Sequence, residues 1–74
     1  MRGGEGGSIR VRLNGEEAEV ASGSTIGQIV DRVVRDRSRI AVERNREIVP
    51  RTSYDRTPVG EGDVIEVVSL VGGG

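Results

Sequence analysis

Only one segment of this 74-residue sequence has the periodicity of a helix. Its apolar residues recur at intervals of three and four, which places them on one stripe of a helix. They are Ile26, Ile29, Val30, Val33 and Val34. All five are β-branched, and such residues are weak intrinsic helix formers. The helix therefore has to be held by packing against a second layer, and a chain this short has room for a single domain.

The start of this helix is marked by a capping box. Gln28 follows Thr25 by three residues, so each side chain can bond the backbone N–H of the other residue. We expect the helix to end near Asp36 to Ser38.

Two strands are predicted before the helix. Apolar and polar residues alternate from Ile9 to Leu13, and a second strand is expected from Glu17 to Ala21. Asn14-Gly15 separates them, and both residue types tolerate the positive φ of a tight hairpin turn. The first unit is therefore predicted to be a β-hairpin.

Three strands are predicted after the helix, at Ile40 to Glu43, Ile48 to Val49 and Val64 to Leu70. The last is almost continuously apolar, which is typical of a strand in the centre of a sheet. A helical turn is expected around Ser53 to Arg56. This order predicts an α+β fold of the β-grasp type, a mixed sheet of about five strands with one main helix on one face. The domain is predicted at residues 8–70, between a flexible leader (1–7) and a flexible glycine tail (71–74).

The residue types that are missing restrict the chemistry. The chain has no Cys and no His, so it lacks a thiol nucleophile and the commonest general base and metal ligand. All 11 basic residues are Arg, so no lysine is available for a Schiff base or a phosphate-binding loop. We therefore expect no catalytic residues of its own and no metal site.

Composition also argues against two classes of partner. The net charge is −1, and Tyr54 is the only aromatic residue, so a nucleic-acid-binding surface is not expected. No apolar run is long enough to span a membrane, and the N-terminus lacks the apolar core of a signal peptide. We expect no membrane association and a cytoplasmic location.

Three glycines end the sequence: Gly72, Gly73 and Gly74. They are either a frayed end without function or a tail that presents its terminal carboxylate to a partner. Glycine has no Cβ, so residues 71–74 could enter a narrow tunnel and reach about 13–14 Å. The carboxylate is ionised at neutral pH and is a poor electrophile, so it needs activation, which ATP can provide. Because this chain has no nucleotide-binding loop, a partner enzyme would carry out that step.

Three stretches carry a family resemblance: Asn45-Arg46-Glu47-Ile48-Val49-Pro50-Arg51, Gly60-Glu61-Gly62-Asp63-Val64-Ile65-Glu66-Val67 and Val71-Gly72-Gly73-Gly74. Together they resemble the sulfur carrier proteins of thiamine biosynthesis (the ThiS family), and the first stretch is the most specific. The resemblance covers Ser8 to Gly74. The small subunit of molybdopterin synthase is a relative with the same fold and tail, but it usually lacks the Ile-Val-Pro-Arg segment.

The resemblance implies a ubiquitin-like β-grasp and a carrier protein that is not an enzyme and binds no cofactor. It implies that an E1-like adenylyltransferase uses ATP and Mg²⁺ to adenylate Gly74. A sulfur donor, a persulfide or sulfide source, would convert the adenylate into a thiocarboxylate, and thiazole synthase would receive the sulfur. Gly72 and Gly73 would be part of the tail that carries this site.

The surface that docks to partners is predicted from strand alternation. If Ile65 and Val67 face the helix, the residues that face outward are Val64, Glu66, Val68 and Leu70. Val68 and Leu70 would be exposed beside the tail. The alternative is a strand buried on both faces. Arg51 could pair with acidic groups on a partner. Two other functions stay open: a sulfur carrier for molybdopterin or tRNA thiolation, and a ubiquitin-like protein modifier or interaction module.

Overall fold

The computed structural model describes residues 7–70, which form one mixed sheet covered on one face by a helix. The elements are β1 (Ser8–Leu13), β2 (Glu16–Ala21), α1 (Ile26–Val33), β3 (Ile40–Arg44), β4 (Glu47–Val49) and β5 (Val64–Ser69), with 3₁₀-helices at Arg37–Arg39 and Arg51–Arg56. The strand order is β2-β1-β5-β3-β4, with β1 and β5 parallel and the other pairs antiparallel. This confirms the β-grasp prediction and the central place of β5. Residues 1–6 of the predicted leader and the whole predicted tail lie outside the described residues.

The capping box at the start of α1 is present. Thr25 Oγ1 accepts the N–H of Gln28 at 3.2 Å, and Gln28 Oε1 accepts the N–H of Thr25 at 2.9 Å. The predicted end of the helix at Asp36 to Ser38 is wrong, because α1 ends at Val33 and Val34 is already extended. Asp36 caps the first 3₁₀-helix instead, since its side chain accepts the N–H of Ser38 at 2.9 Å.

Two hairpin turns are fastened to β5 by asparagine side chains. Asn14 and Gly15 both have positive φ, 51° and 86°, as the Asn-Gly signal predicts. Asn14 Oδ1 accepts the N–H of Val67 at 2.8 Å. Asn45, in the turn between β3 and β4, has φ 52° and accepts the N–H of Val64 at 2.9 Å. Asn45, the first residue of the most specific sequence stretch, therefore has a structural role.

The core lies between the sheet and α1, and the second 3₁₀-helix contributes its largest side chain. The buried apolar residues are Val11, Val20, Ile26, Ile29, Val30, Ile40, Val42, Val49, Tyr54, Val59 and Ile65. Tyr54 is 1% exposed and is the largest fully buried residue. Val33 is 45% exposed, so the buried stripe of α1 is narrower than the sequence predicted.

A cluster around Arg37 joins α1 to the second 3₁₀-helix. The Arg37 guanidinium donates to Asp31 of α1 at 2.9 and 3.0 Å and to Asp55 at 3.0 and 3.1 Å. It also donates to the carbonyl of Gly27 at 3.3 Å and lies 5.9 Å from the centre of the Tyr54 ring. These bonds raise the pKa of Arg37, with Asp31 the larger cause, and the bond from Arg37 lowers the pKa of Asp31 below its ordinary 3.8.

The lowered pKa predicts how the stability of an Asp31→Asn variant depends on pH. A carboxylate with a depressed folded-state pKa stabilises the fold above its unfolded-state pKa, and this contribution is lost as pH falls through the folded-state value. We expect Asp31→Asn to have a lower Tm than the wild type at pH 7, and the two values to converge as pH falls well below 3.8. Thermal melts followed by circular dichroism between pH 7 and pH 2.5 measure this; a Tm difference of constant size would contradict it.

Candidate functional site

The candidate site begins where β5 leads towards the glycine tail. Leu70 is the last described residue, and its N–H donates to the carbonyl of Arg39 at 2.8 Å. The chain is therefore hydrogen-bonded to the sheet region up to that point. Gly72, Gly73 and Gly74 lie outside the described residues, and their roles stay predictions.

The two faces of β5 differ in burial. Ile65 is 0% exposed and Val67 is half-buried against the core, whereas Val68 is 46% and Leu70 60% exposed. The predicted alternation is confirmed, and the alternative of a strand buried on both faces is wrong. The sheet face opposite α1 is named the open face below. Val68 and Leu70 lie at its end nearest the tail.

The open face carries two further exposed apolar residues: Val64, which the alternation along β5 also predicted to face outward, and Ile48, which the sequence analysis did not identify. Ile48 on β4 is 64% exposed and Val64 on β5 is 40% exposed. Ala41 lies opposite Val68, so the apolar surface at this end of the face extends from β5 to β3. Ile48 could have been found by the alternation used for β5, because its neighbour Val49 is buried. Isolated exposed apolar residues are normal, but a group on one sheet face is typical of a docking surface.

The structure brings Arg51 to the same end of the domain as Leu70. Arg51 opens the second 3₁₀-helix, and its Nη2 donates to the carbonyl of Ser38 at 3.3 Å. Ser38 precedes Arg39, whose carbonyl holds Leu70. Arg51 is exposed, so its guanidinium is available to a partner beside the end of β5. Arg39 also lies at this end, and sequence reasoning did not identify it.

The acidic residues that could suggest a reaction centre have structural partners. Asp63 accepts the N–H of Gly60 at 2.8 Å and the side-chain amide of Asn45 at 3.1 Å, and Asp55 binds Arg37. Bonds from Ser38 lower the pKa of Asp36 below 3.8. Among residues 7–70 no group of three or more His, Cys, Asp or Glu is arranged to hold a metal ion. The part of the chain that the structure describes has no helix that is long and apolar enough to cross a membrane.

Comparison with known proteins identifies relatives of two lengths. A protein from Paramagnetospirillum magneticum named thiazole synthase is 38% identical over 66 residues, which are 89% of this chain and 20% of the relative. The chain thus spans about a fifth of that relative's length. The sulfur carrier protein ThiS of Bacillus subtilis is 32% identical over 65 residues, which are 86% of this chain and 98% of the relative.

The fold and the sequence agree on the family. The crystal structure of a thiamine biosynthesis protein (ThiS) from Geobacter metallireducens superposes with a TM-score of 0.76 at 28% identity, over 89% of this chain and all of that one. The ThiS family model matches residues 11–74. By its sequence over that range and by its fold, the chain belongs to the ThiS family.

Proposed function

We propose that this protein is a sulfur carrier of thiamine biosynthesis and that the carboxylate of Gly74 is the group that carries the sulfur. The observation that supports this most directly is the extent of the family match. It runs from residue 11 through the last glycine and so includes the tail as well as the folded domain.

The chemistry follows from the poor reactivity of a carboxylate. One carboxylate oxygen of Gly74 attacks the α-phosphorus of ATP, and pyrophosphate leaves, which gives an acyl-adenylate. A sulfur nucleophile from a persulfide or sulfide source then attacks the acyl carbon, and AMP leaves with the bonding electron pair. With sulfide the product is a thiocarboxylate. With a persulfide the product is an acyl disulfide, and a thiol of the partner enzyme then attacks the donor's sulfur, which releases the thiocarboxylate and leaves a disulfide between that thiol and the donor. Because this sequence has no lysine and no nucleotide-binding loop, an E1-like adenylyltransferase with Mg²⁺ carries out the activation.

The folded domain then serves to dock and to position. Four extended residues after Leu70 reach about 13–14 Å, so the surface around Leu70 has to lie within that distance of the partner's active site. Val68, Leu70 and Arg51 meet this requirement, since all three are exposed at the end of the domain from which the chain continues. They combine apolar contact area with a cation, as protein interfaces commonly do.

Thiazole synthase is the proposed acceptor of the sulfur. A segment similar to nearly the whole of this chain forms about a fifth of two proteins that bear that name, from Paramagnetospirillum magneticum and Magnetococcus marinus. A shared polypeptide keeps two modules at a high effective concentration, which suits a carrier and its acceptor. The need for ATP is consistent with a cytoplasmic location.

Intact-mass spectrometry tests the proposed function. The protein is incubated with ATP, Mg²⁺, the activating enzyme of its source organism and a sulfur donor. We expect its mass to rise by the difference between a sulfur and an oxygen atom, and only when ATP is present. An unchanged mass, or attachment to amines of other proteins, would contradict the proposal. Thiazole formation on addition of thiazole synthase separates this pathway from molybdopterin synthesis and tRNA thiolation.

The docking role of Val68 is tested by Val68→Gln. The glutamine amide would lose the apolar contact with the partner and would be buried without hydrogen-bond partners. We therefore expect kcat/KM for adenylation to fall about 30-fold or more. Val33→Gln is the matched control, because Val33 is equally exposed (45% against 46%) but lies on α1, away from the open face. We expect Val33→Gln to stay near the wild-type value. Equal losses in the two variants would show that Val68 has no docking role.

A further inference from the structure

The charges of the open face divide it into two halves. On the β1–β2 half, each outward arginine lies opposite a glutamate: Arg10 opposite Glu19 and Arg12 opposite Glu17. Arg10 also forms a long ion pair with Glu17 at 4.0 Å. Opposite charges that face each other across two strands stabilise the strand pair. The outward charges of this half therefore cancel, and it can stay exposed to water without a partner.

The β5–β3 half has the reverse arrangement. Glu43 of β3 and Glu66 of β5 lie directly opposite each other, and side chains so placed have Cβ atoms about 4.5–5.5 Å apart. Like charges at that separation destabilise the strand pair. No cation of residues 7–70 lies within 4.0 Å of either carboxylate. Arg12 of β1 lies opposite Val64, two residues from Glu66 on the same face, but its side chain donates to the carbonyl of Gly15 at 3.1 Å. Within residues 7–70 the pair is thus a double negative charge without an ion pair, in the central part of the sheet.

This pair lies among the exposed apolar residues of the open face. Val64 and Val68 flank Glu66 along β5 on the same face, and Ile48 lies opposite Glu43 on β4. All three apolar residues are at least 40% exposed. A surface that only needed to stay soluble would gain stability from an arginine at either glutamate position, as the β1–β2 half shows. The acidic pair instead matches a cation that arrives with an apolar surface around it.

We propose that Glu43 and Glu66 together receive an arginine of the activating enzyme when the carrier docks on its open face. This inference rests on the proposed function. Arginine fits because its planar guanidinium has five N–H donors and can bond two carboxylates at once. Its apolar stem can lie along the valine and isoleucine side chains that surround the pair.

The activating enzyme is the partner whose chemistry calls for positive charge. It has to hold ATP and the carboxylate of Gly74 together, and both are anions, so the surroundings of its active site are cationic. Glu66 lies four residues before Leu70, about 13 Å along the strand. With an extended tail of about 13–14 Å, the acidic pair lies up to about 27 Å from the carboxylate of Gly74. It therefore contacts the cationic surface around that site, not the site itself, and orients the carrier as it docks.

Neutralising the pair should affect folding and docking in opposite directions. We expect the double variant E43Q/E66Q to have a Tm equal to or above that of the wild type, because the repulsion is gone. With the activating enzyme, its KM in ATP-dependent pyrophosphate release should rise about 30-fold with little change in kcat. The KM of the wild type should rise with salt concentration, and that of the variant should depend on salt much less.

The matched control is E17Q/E19Q, which removes two negative charges from the other half of the same face. We expect its KM to stay within about threefold of wild type. Equal rises of KM in the two variants would show that the pair acts only through the net charge of the protein, which would overturn the proposal. An unchanged KM in E43Q/E66Q would also overturn it. A defect seen only in thiazole formation would assign the pair to thiazole synthase and also overturn it. If the wild type is not adenylated, the proposed function itself fails, a result distinct from the others.

Discussion

Replacing Tyr54 with alanine should lower the free energy of unfolding by about 3–5 kcal/mol, the cost typical of removing a buried aromatic ring. Tyr54 is 1% exposed and is the largest fully buried side chain of the domain. A domain of this size has only about 5–15 kcal/mol of stability, so this single ring accounts for a large part of it. Urea unfolding of the wild type and the variant measures the difference.

Tyr54→Phe is the control for this prediction. It keeps the ring in the core and keeps the contact with the Arg37 guanidinium, and the Tyr54 hydroxyl makes no side-chain hydrogen bond with residues 7–70. We expect a change below about 1 kcal/mol. A large loss in Tyr54→Phe would show that the hydroxyl, and not the packing of the ring, gives Tyr54 its importance.

The fold could be predicted because its local signals agree with one another. Asn14-Gly15 specifies a hairpin, the box of Thr25 and Gln28 specifies the start of the only α-helix of the described residues, and the apolar run from Val64 specifies a central strand. Each signal depends on neighbours in the sequence. With one helix and five strands in that order, few arrangements bury the apolar faces of both layers.

Sequence reasoning missed one local contact and one contact between distant residues. The helical spacing of the apolar residues includes Val34, but α1 ends at Val33. The Asp36 side chain instead accepts the N–H of Ser38 and caps a 3₁₀-helix. Tyr54 becomes a core residue only because the second 3₁₀-helix packs against α1, where Arg37 bonds both elements. The first contact is local, since Asp side chains commonly bond the N–H two residues on, and only the second has no signal in the local sequence.

The candidate site was predicted in part for the same reason. Alternation along one strand was enough to place Val68 and Leu70 on the open face. The position of Arg51 depends on its bond to Ser38, and the pairing of Glu43 with Glu66 depends on the register of β3 against β5. A shift of one residue in that register would place different residues opposite each other, and the sequence does not specify it.

A protein prepared with a carboxamide in place of the Gly74 carboxylate should form no adenylate at all. The amide has nearly the shape of the carboxylate, so docking through the folded domain is retained. It lacks the anionic oxygen that attacks the α-phosphorus of ATP. We expect the amide form to compete with the wild type for the activating enzyme while releasing no pyrophosphate. Pyrophosphate release from the amide form would show that the terminal carboxylate is not the activated group.

Deleting Gly74 separates the reach of the tail from its composition. The shortened chain still ends in two glycines, Gly72 and Gly73, and still has a terminal carboxylate. That carboxylate lies about 3.3–3.6 Å nearer the domain, and a displacement of 1 Å at a reacting group can cost about 100-fold in rate. We therefore expect at least a 100-fold loss of kcat/KM for adenylation. Full activity of the shortened chain would show that two terminal glycines are sufficient. The distance between the carboxylate and the docked domain would then not matter, which would contradict the prediction.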